Sequence, residues 1–215
     1  MQSHIHKIQI EKTARYISNK PIEGSFKEIW ILCHGYAENV NNFFNCFEAL
    51  SNNDVLLIAP EGLNRFYTKG FNGGVGATWM TQECREDEIH DYVRYLDNIL
   101  NTVLSTLTNK PQLNVLGFSQ GAATVCRWAN FSKHTFNKLI LYAAAFPPDL
   151  NLNLFNEKTK STELILTYSN TDIYISPEEF KNTLTLLEQN NTNFKVLYFE
   201  GGPTITSEVV TSISK

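Results

Sequence analysis

The chain has 215 residues, of which 42% are hydrophobic, and a formal net charge of −4, a composition that suits one domain (residues 1–215) with a sizeable core. It contains no run of Lys and Arg, and its isoelectric point is about 5.7, so nucleic acids and anionic membrane surfaces are poor partners. No apolar run approaches the roughly 18 residues of a membrane span. We therefore expect a small-molecule partner that is not polyanionic, and the composition leaves the oligomeric state open.

The N-terminal residues 1–12 alternate between polar and apolar types and lack the apolar core of a signal peptide. This pattern predicts a cytoplasmic protein. The four cysteines have no CxxC spacing, so the sequence predicts neither a disulfide framework nor a zinc site; they are Cys33, Cys46, Cys84 and Cys126. Nothing in the sequence predicts another metal site or an organic cofactor.

Strand and helix signals alternate along the chain. Period-two alternation in residues 6–17 predicts one or two antiparallel strands. Apolar runs bounded by turn residues predict six further strands, at residues 28–33, 54–59, 113–116, 138–146, 163–168 and 194–200. Helical spacing and capping signals predict helices at residues 39–50, 83–107, 121–132 and 205–213, and one more that begins at Ser176. This order predicts an α/β fold, a mostly parallel central sheet with helices on both faces.

Two segments between these elements have no regular pattern. Residues 63–80 contain glycines with interleaved aromatic side chains, and residues 150–162 are rich in Asn. Long loops in compact domains tend to be functional. We expect Phe71 and Trp79 of the first segment, together with Phe146, to form an apolar groove. Packing of the loop onto the body of the domain explains its aromatic residues about equally well.

Residues 113–123 carry the clearest chemical signal. A short apolar strand leads into Gly117-Phe118-Ser119-Gln120-Gly121, and small residues then open a helix. In a nucleophile elbow the serine occupies a strained turn, and glycines flank it because larger side chains would collide with the neighbouring strand and helix. The pattern therefore predicts that Ser119 is a nucleophile.

Two other loops follow predicted parallel strands and should meet Ser119 at the carboxyl edge of the sheet. The first is residues 34–38, His-Gly-Tyr-Ala-Glu, which we call the HG loop, and the second carries Asp172. An Asp ahead of a helix usually caps it, but Ser176, Pro177 and Glu179 already provide the cap of the next helix. Asp172 is therefore predicted to be available for another role.

These features resemble the phospholipase/carboxylesterase group of α/β-hydrolases, which includes bacterial carboxylesterases and acyl-protein thioesterases. The resemblance rests on HGYAEN after the first parallel strand, GFSQG followed by small residues, and an Asp after the next-to-last strand. It implies a compact, largely lidless serine hydrolase of carboxylic esters or thioesters. By position, Ser119 resembles the nucleophile and Asp172 the triad acid, while the backbone amides of Tyr36 and Gln120 resemble the oxyanion hole. Asp149, after the strand that ends at Phe146, is an alternative acid.

The expected base is missing from this pattern. Where the family has a Gly-Gly-His loop after the last strand, this chain reads Gly201-Gly202-Pro203. Of the five histidines, only His34 lies at the predicted carboxyl edge, and its family counterpart looks structural; the others are His4, His6, His90 and His134. The triad is therefore predicted to be incomplete.

Two classes of function follow from the incomplete triad. One is a serine esterase that is impaired or uses another base, for which His34 is a candidate. The other is a non-catalytic pseudohydrolase that binds an acyl ligand or a protein partner. A plain α/β binding domain of the flavodoxin type is disfavoured, because the HG loop and the elbow are predicted at the same sheet edge.

Overall fold

A computed structural model describes residues 3–202 and 204–214 of the chain. Nine strands are assigned within these residues: β1 (Tyr16–Ser18), β2 (Glu28–Cys33), β3 (Val55–Pro60), β4 (Asn64–Tyr67), β5 (Val75–Thr78), β6 (Gln112–Phe118), β7 (Lys138–Tyr142), β8 (Glu163–Ser169) and β9 (Lys195–Phe199). The helices are α1 (Val40–Asn45), α2 (Arg85–Thr106), α3 (Gln120–Phe131), α4 (Leu152–Lys158), α5 (Pro177–Gln189) and α6 (Ser207–Ser214), with a 3₁₀ turn at Glu48–Leu50.

Seven strands form one sheet in the order β1-β3-β2-β6-β7-β8-β9. Only β1 pairs antiparallel, with β3, and every other pairing in this sheet is parallel. The predicted fold class, a mostly parallel sheet with helices on both faces, is confirmed. Because β6 lies at the centre, the residue that follows it emerges between the loops after β2 and β7.

The core has two layers because the central strands are buried on both faces. In β2, Ile29 and Ile31 face a cluster that includes apolar residues of α2, α3 and α5. Trp30 and Leu32 face the opposite cluster, formed with α1, the 3₁₀ turn and α6. The nearly continuous apolar run of β2 is explained by this burial. Among the described residues, no helix combines the length and apolar character needed to cross a membrane.

Three segments differ from the prediction. Residues 3–15 form no strand, and only Tyr16–Ser18 pairs with the sheet. Ile5, Ile8 and Ile10 are exposed, so the alternating pattern there buries no face. Residues 63–80 contain the hairpin β4–β5, closed by a turn in which Thr68 N–H donates to Gly74 O over 2.8 Å. The Asn-rich segment contains α4, which Asn151 caps.

The predicted cap at Ser176 is confirmed, and Asn39 caps α1. Asn39 Oδ1 accepts a hydrogen bond from Asn41 N–H over 3.0 Å at the start of α1. Ser176 and Glu179 form a reciprocal capping box at the start of α5. Local side-chain chemistry therefore sets where these helices begin.

Candidate active site

Ser119 occupies a strained turn between β6 and α3. Its backbone has φ 50° and ψ −116°, a conformation that L-residues rarely adopt, and its N–H donates to Tyr142 O of β7 over 2.9 Å. A Cβ added to Gly117 would lie 2.2 Å from Gly121 O, and one added to Gly121 would lie 2.1 Å from Cys33 O. Both flanking positions therefore exclude any side chain, which is the geometry of a nucleophile elbow.

The loop after β2 lies against this elbow. A Cβ placed on Gly35 would be 3.3 Å from Ser119 Cβ. The loop is fixed by the hairpin, because Ala37 N–H donates to Ala77 O over 2.9 Å and Ala77 N–H donates to Glu38 O over 3.0 Å. Ala37 has φ 62°, so the chain turns sharply there. The hairpin that the sequence did not reveal thus holds the HG loop beside Ser119.

Two backbone amides of this region lack an acceptor within the part of the chain that the structure describes. They are the N–H groups of Tyr36, in the HG loop, and Gln120, the residue after Ser119. Gln120 is the first residue of α3, where no acceptor exists within the helix and the helix dipole is positive. The Tyr36 ring is exposed and packs against Phe66, with ring centroids 5.4 Å apart. The site therefore retains two unused donors.

The Gln120 side chain ties the elbow to the end of the hairpin. Its Oε1 accepts from Trp79 N–H over 3.1 Å, and its Nε2 donates to Met80 O and to Thr78 Oγ1, each over 2.9 Å. The sequence predicts a role only for the Gln120 backbone. A glutamine directly after the nucleophile was the one available signal for this network.

His34 is completely buried and structural. Its Nδ1 lies 2.7 Å from Gly35 O, and its Nε2 accepts a hydrogen bond from Gly62 N–H over 2.9 Å. Burial lowers the pKa of the imidazole, and the tilted ring of Trp79 lies 5.1 Å away. Since both ring nitrogens are engaged with backbone groups, His34 has no nitrogen free for a proton of Ser119.

Asp172 lies in the loop after β8 and uses one carboxylate oxygen locally. Oδ1 accepts hydrogen bonds from Tyr174 N–H over 2.7 Å and from Ile175 N–H over 3.2 Å. Oδ2 is buried and has no hydrogen-bond partner among the described residues. A buried carboxylate oxygen normally has a donor, so Oδ2 is available to receive one.

The loop after β9 approaches both Asp172 and the elbow. Thr171 Oγ1 donates to Gly201 O over 2.6 Å, and Ser169 Oγ also donates to this carbonyl. On the other side, Tyr142 Oη donates to Thr204 O over 3.0 Å. Pro203, the position expected to hold the triad base, lies outside the described residues. Its flanking segments are nevertheless hydrogen-bonded to the Asp172 loop and to β7.

Asp149, the alternative acid, is engaged by two arginines. Arg127 donates to both of its oxygens over 3.0 and 2.8 Å, and Arg85 donates over 2.7 Å. The hydrogen bonds from these guanidinium groups hold the pKa of Asp149 far below its usual range. Asp149 therefore serves as an ion-pair anchor between α2, α3 and its own loop.

The predicted groove residues do not form a common wall. Trp79 and Phe146 are buried, with the Trp79 indole donating to His34 O over 2.8 Å and Phe146 packing against Phe155. Phe71 is 92% exposed. The groove prediction is therefore wrong for these three residues, because the HG loop and α4 cover the two that turn inward. A cavity of about 570 Å³ lies instead between the ends of β8 and β9 and helix α6, and its lining includes Asn170 and Glu200.

Comparison with known proteins agrees with this arrangement. The family model described as Phospholipase/Carboxylesterase matches residues 21–215. Three solved structures with the same fold are acyl-protein thioesterase 2 from Zea mays (18% identity, TM-score 0.65, 94% of this chain and 98% of that chain), esterase PE8 (16%, 0.69, 94% and 97%) and a phospholipase/carboxylesterase from Dyadobacter fermentans (15%, 0.67, 95% and 96%). No curated protein sequence matches significantly.

Proposed function

We propose that this chain, which belongs to the phospholipase/carboxylesterase family, hydrolyses carboxylic esters or thioesters through an acyl-enzyme at Ser119. Turnover is slow because Pro203 stands where the family resemblance implies a catalytic histidine. The observation that carries the proposal is the elbow at Ser119 beside two backbone N–H groups that have no acceptor among the described residues. A binding domain without hydrolytic ancestry has no need of both features.

In this mechanism, Ser119 Oγ attacks the acyl carbon of the substrate. Negative charge develops on the carbonyl oxygen, and the N–H groups of Tyr36 and Gln120 stabilise it as hydrogen-bond donors. The alcohol or thiol then leaves, and water hydrolyses the acyl-Ser119 ester. The strained backbone of Ser119 keeps this residue at the carboxyl edge of the sheet, where it is partly exposed.

The weak point of the mechanism is removal of the Ser119 proton. In a complete triad the acid orients an imidazole that accepts this proton. Here Asp172 Oδ2 has no donor to orient among residues 3–202 and 204–214. Loss of the base alone costs on the order of 10⁶ in turnover in a serine protease, and about 10³ to 10⁴ over water remains from binding and the oxyanion hole. In a chain with no replacement for the base, we expect residual activity of that order.

A second candidate is a pseudohydrolase that binds an acyl ligand or a protein partner without turnover. Pro203 in place of the histidine favours it, since proline offers no proton acceptor.

All four cysteines are free thiols, two of them buried, which suits the reducing cytoplasm that we propose as the location.

Labelling with a fluorophosphonate probe separates the two candidates, because the probe reacts only with an activated serine. We expect slow, stoichiometric labelling of the native chain and none of Ser119→Ala, with hydrolysis of a short p-nitrophenyl ester and a short acyl thioester reduced by the same substitution. The native chain and Ser119→Ala are first checked for identical circular dichroism. A folded chain that resists the probe and hydrolyses neither substrate above the Ser119→Ala background would establish the pseudohydrolase.

A further inference from the structure

Glu38 brings a carboxylate close to Ser119 from the HG loop. A Cβ placed on Gly35 would lie 3.1 Å from Glu38 Oε2 and 3.3 Å from Ser119 Cβ. Glu38 Oε2 and Ser119 Cβ therefore lie no farther apart than the sum of these two distances. Glu38 lies four residues after His34, and its inward orientation was not apparent from the sequence.

The backbone around Glu38 holds the side chain in this place. Gly35 N–H donates to Glu38 Oε2 over 2.5 Å, and Glu38 O accepts from Ala77 N–H of β5. Among the described residues, no hydrogen bond involves Glu38 Oε1, and no Lys, Arg or His forms an ion pair with Glu38. The carboxylate is thus fixed at one oxygen and free at the other.

The surroundings of Glu38 make it a stronger base than an exposed glutamate. Partial burial raises the pKa of its carboxyl group, and the hydrogen bond from Gly35 opposes this effect. The titratable group that interacts with the Glu38 carboxylate is the thiol of Cys46, the C-cap residue of α1. Burial and the charge of Glu38 raise the pKa of this thiol. A thiol that stays neutral near pH 7 leaves the glutamate charge uncompensated. Carboxylates of this kind are concentrated at functional sites.

We propose that Glu38 is the general base that activates Ser119 in this chain. The role rests on the proposed hydrolase function and supplies the proton acceptor that Pro203 cannot provide. As Ser119 Oγ bonds to the acyl carbon, its proton passes to Glu38, and the carbonyl π electrons move to the oxygen held by the Tyr36 and Gln120 amides. When the carbonyl re-forms, the bond to the alkoxide or thiolate breaks and that group takes the proton from Glu38. Water then repeats the sequence on the acyl-enzyme, with Glu38 again accepting and returning one proton.

The first test compares Glu38→Gln with Glu48→Gln, a matched control on the exposed 3₁₀ turn. A positioned general base contributes typically 10² to 10⁴ in rate, so we expect Glu38→Gln to lower kcat by about that factor with little change in KM, and Glu48→Gln to match the native chain. The native rate should rise with pH through the Glu38 pKa, because the ionised form is active. This limb should disappear in Glu38→Gln and persist in Cys46→Ala.

A second test separates a base from a residue that only shapes the HG loop. In Glu38→Ala, added formate and acetate should restore hydrolysis, with acetate more effective per bound molecule because it is the stronger base. In Glu38→Gln combined with Pro203→His, an imidazole base should bypass Glu38 and restore turnover. Failure of both rescues would overturn the base assignment in favour of a positioning role.

The outcomes also distinguish this inference from the function on which it rests. If Ser119→Ala abolishes probe labelling and hydrolysis while Glu38→Gln retains the native rate and pH profile, the hydrolase stands and the Glu38 assignment is wrong. If Ser119→Ala changes neither measurement, the proposed function itself fails.

Discussion

Replacing Gln120 by Ala should destabilise the protein through its side chain while the backbone donor at the same position remains. The change removes the acceptor of Trp79 N–H and the donors to Met80 O and Thr78 Oγ1. Each hydrogen bond contributes about 1 kcal/mol net, and a buried amide left without an acceptor costs about 1–3 kcal/mol. Thr78 Oγ1 keeps its own hydrogen bond to Met80 O, and Ala has the higher helix propensity. We therefore expect a loss of about 2–4 kcal/mol in the free energy of unfolding.

Urea denaturation followed by tryptophan fluorescence measures this loss. For a slope of about 2–3 kcal/mol/M, expected for a chain of this size, the midpoint should fall by about 0.7–2 M. Gln189→Ala is the matched control, since Gln189 is exposed at the end of α5 and should change stability by less than about 0.5 kcal/mol. Labelling of Ser119 should also slow in Gln120→Ala, because β5 positions the HG loop. Equal midpoints for the two variants would refute the argument that Gln120 joins the elbow to the hairpin.

Two further predictions concern the missing base and the buried histidine. Pro203→His should raise turnover of a short acyl ester by several orders of magnitude, because Asp172 Oδ2 lacks a donor within the described chain and the segments on either side of position 203 are hydrogen-bonded to the Asp172 loop and to β7. The double variant Pro203→His with Asp172→Asn is the control, and it should lose most of this gain. If Pro203→His gives no gain, position 203 does not place a base between Asp172 and Ser119. Burial lowers the pKa of His34, so the neutral ring stabilises the fold above its unfolded pKa of about 6.5, and that stability is lost as pH falls, by up to about 1.4 kcal/mol per pH unit. Urea midpoints between pH 7.5 and 5.5 should therefore fall more steeply in the native chain than in His34→Asn, and equal slopes would count against a neutral buried imidazole.

The sequence by itself determined the features that depend on neighbouring residues in the chain. The apolar run of β2 is explained by burial on both faces, and the Ser176 capping box forms among adjacent groups. The glycine at position 117 is required by the carbonyl of Gly121, four residues further along the chain. Such patterns can be read from spacing, because secondary-structure period and steric exclusion between near neighbours in the chain do not depend on the rest of the fold.

The tertiary structure alone decided how the side chains of the site are used. Trp79 is an aromatic residue of the kind that lines grooves, but its indole donates a hydrogen bond to the carbonyl of His34, 45 positions away in the chain. Its burial is determined only by the packing of the hairpin against the HG loop. Alternation in residues 3–15 is as regular as in a strand, yet no sheet edge pairs with it. The inward turn of Glu38 depends on Gly35, on Ala77 and on the position of Ser119. These outcomes follow from contacts between distant segments, whose geometry is set by strand order and register and is not encoded in any local pattern.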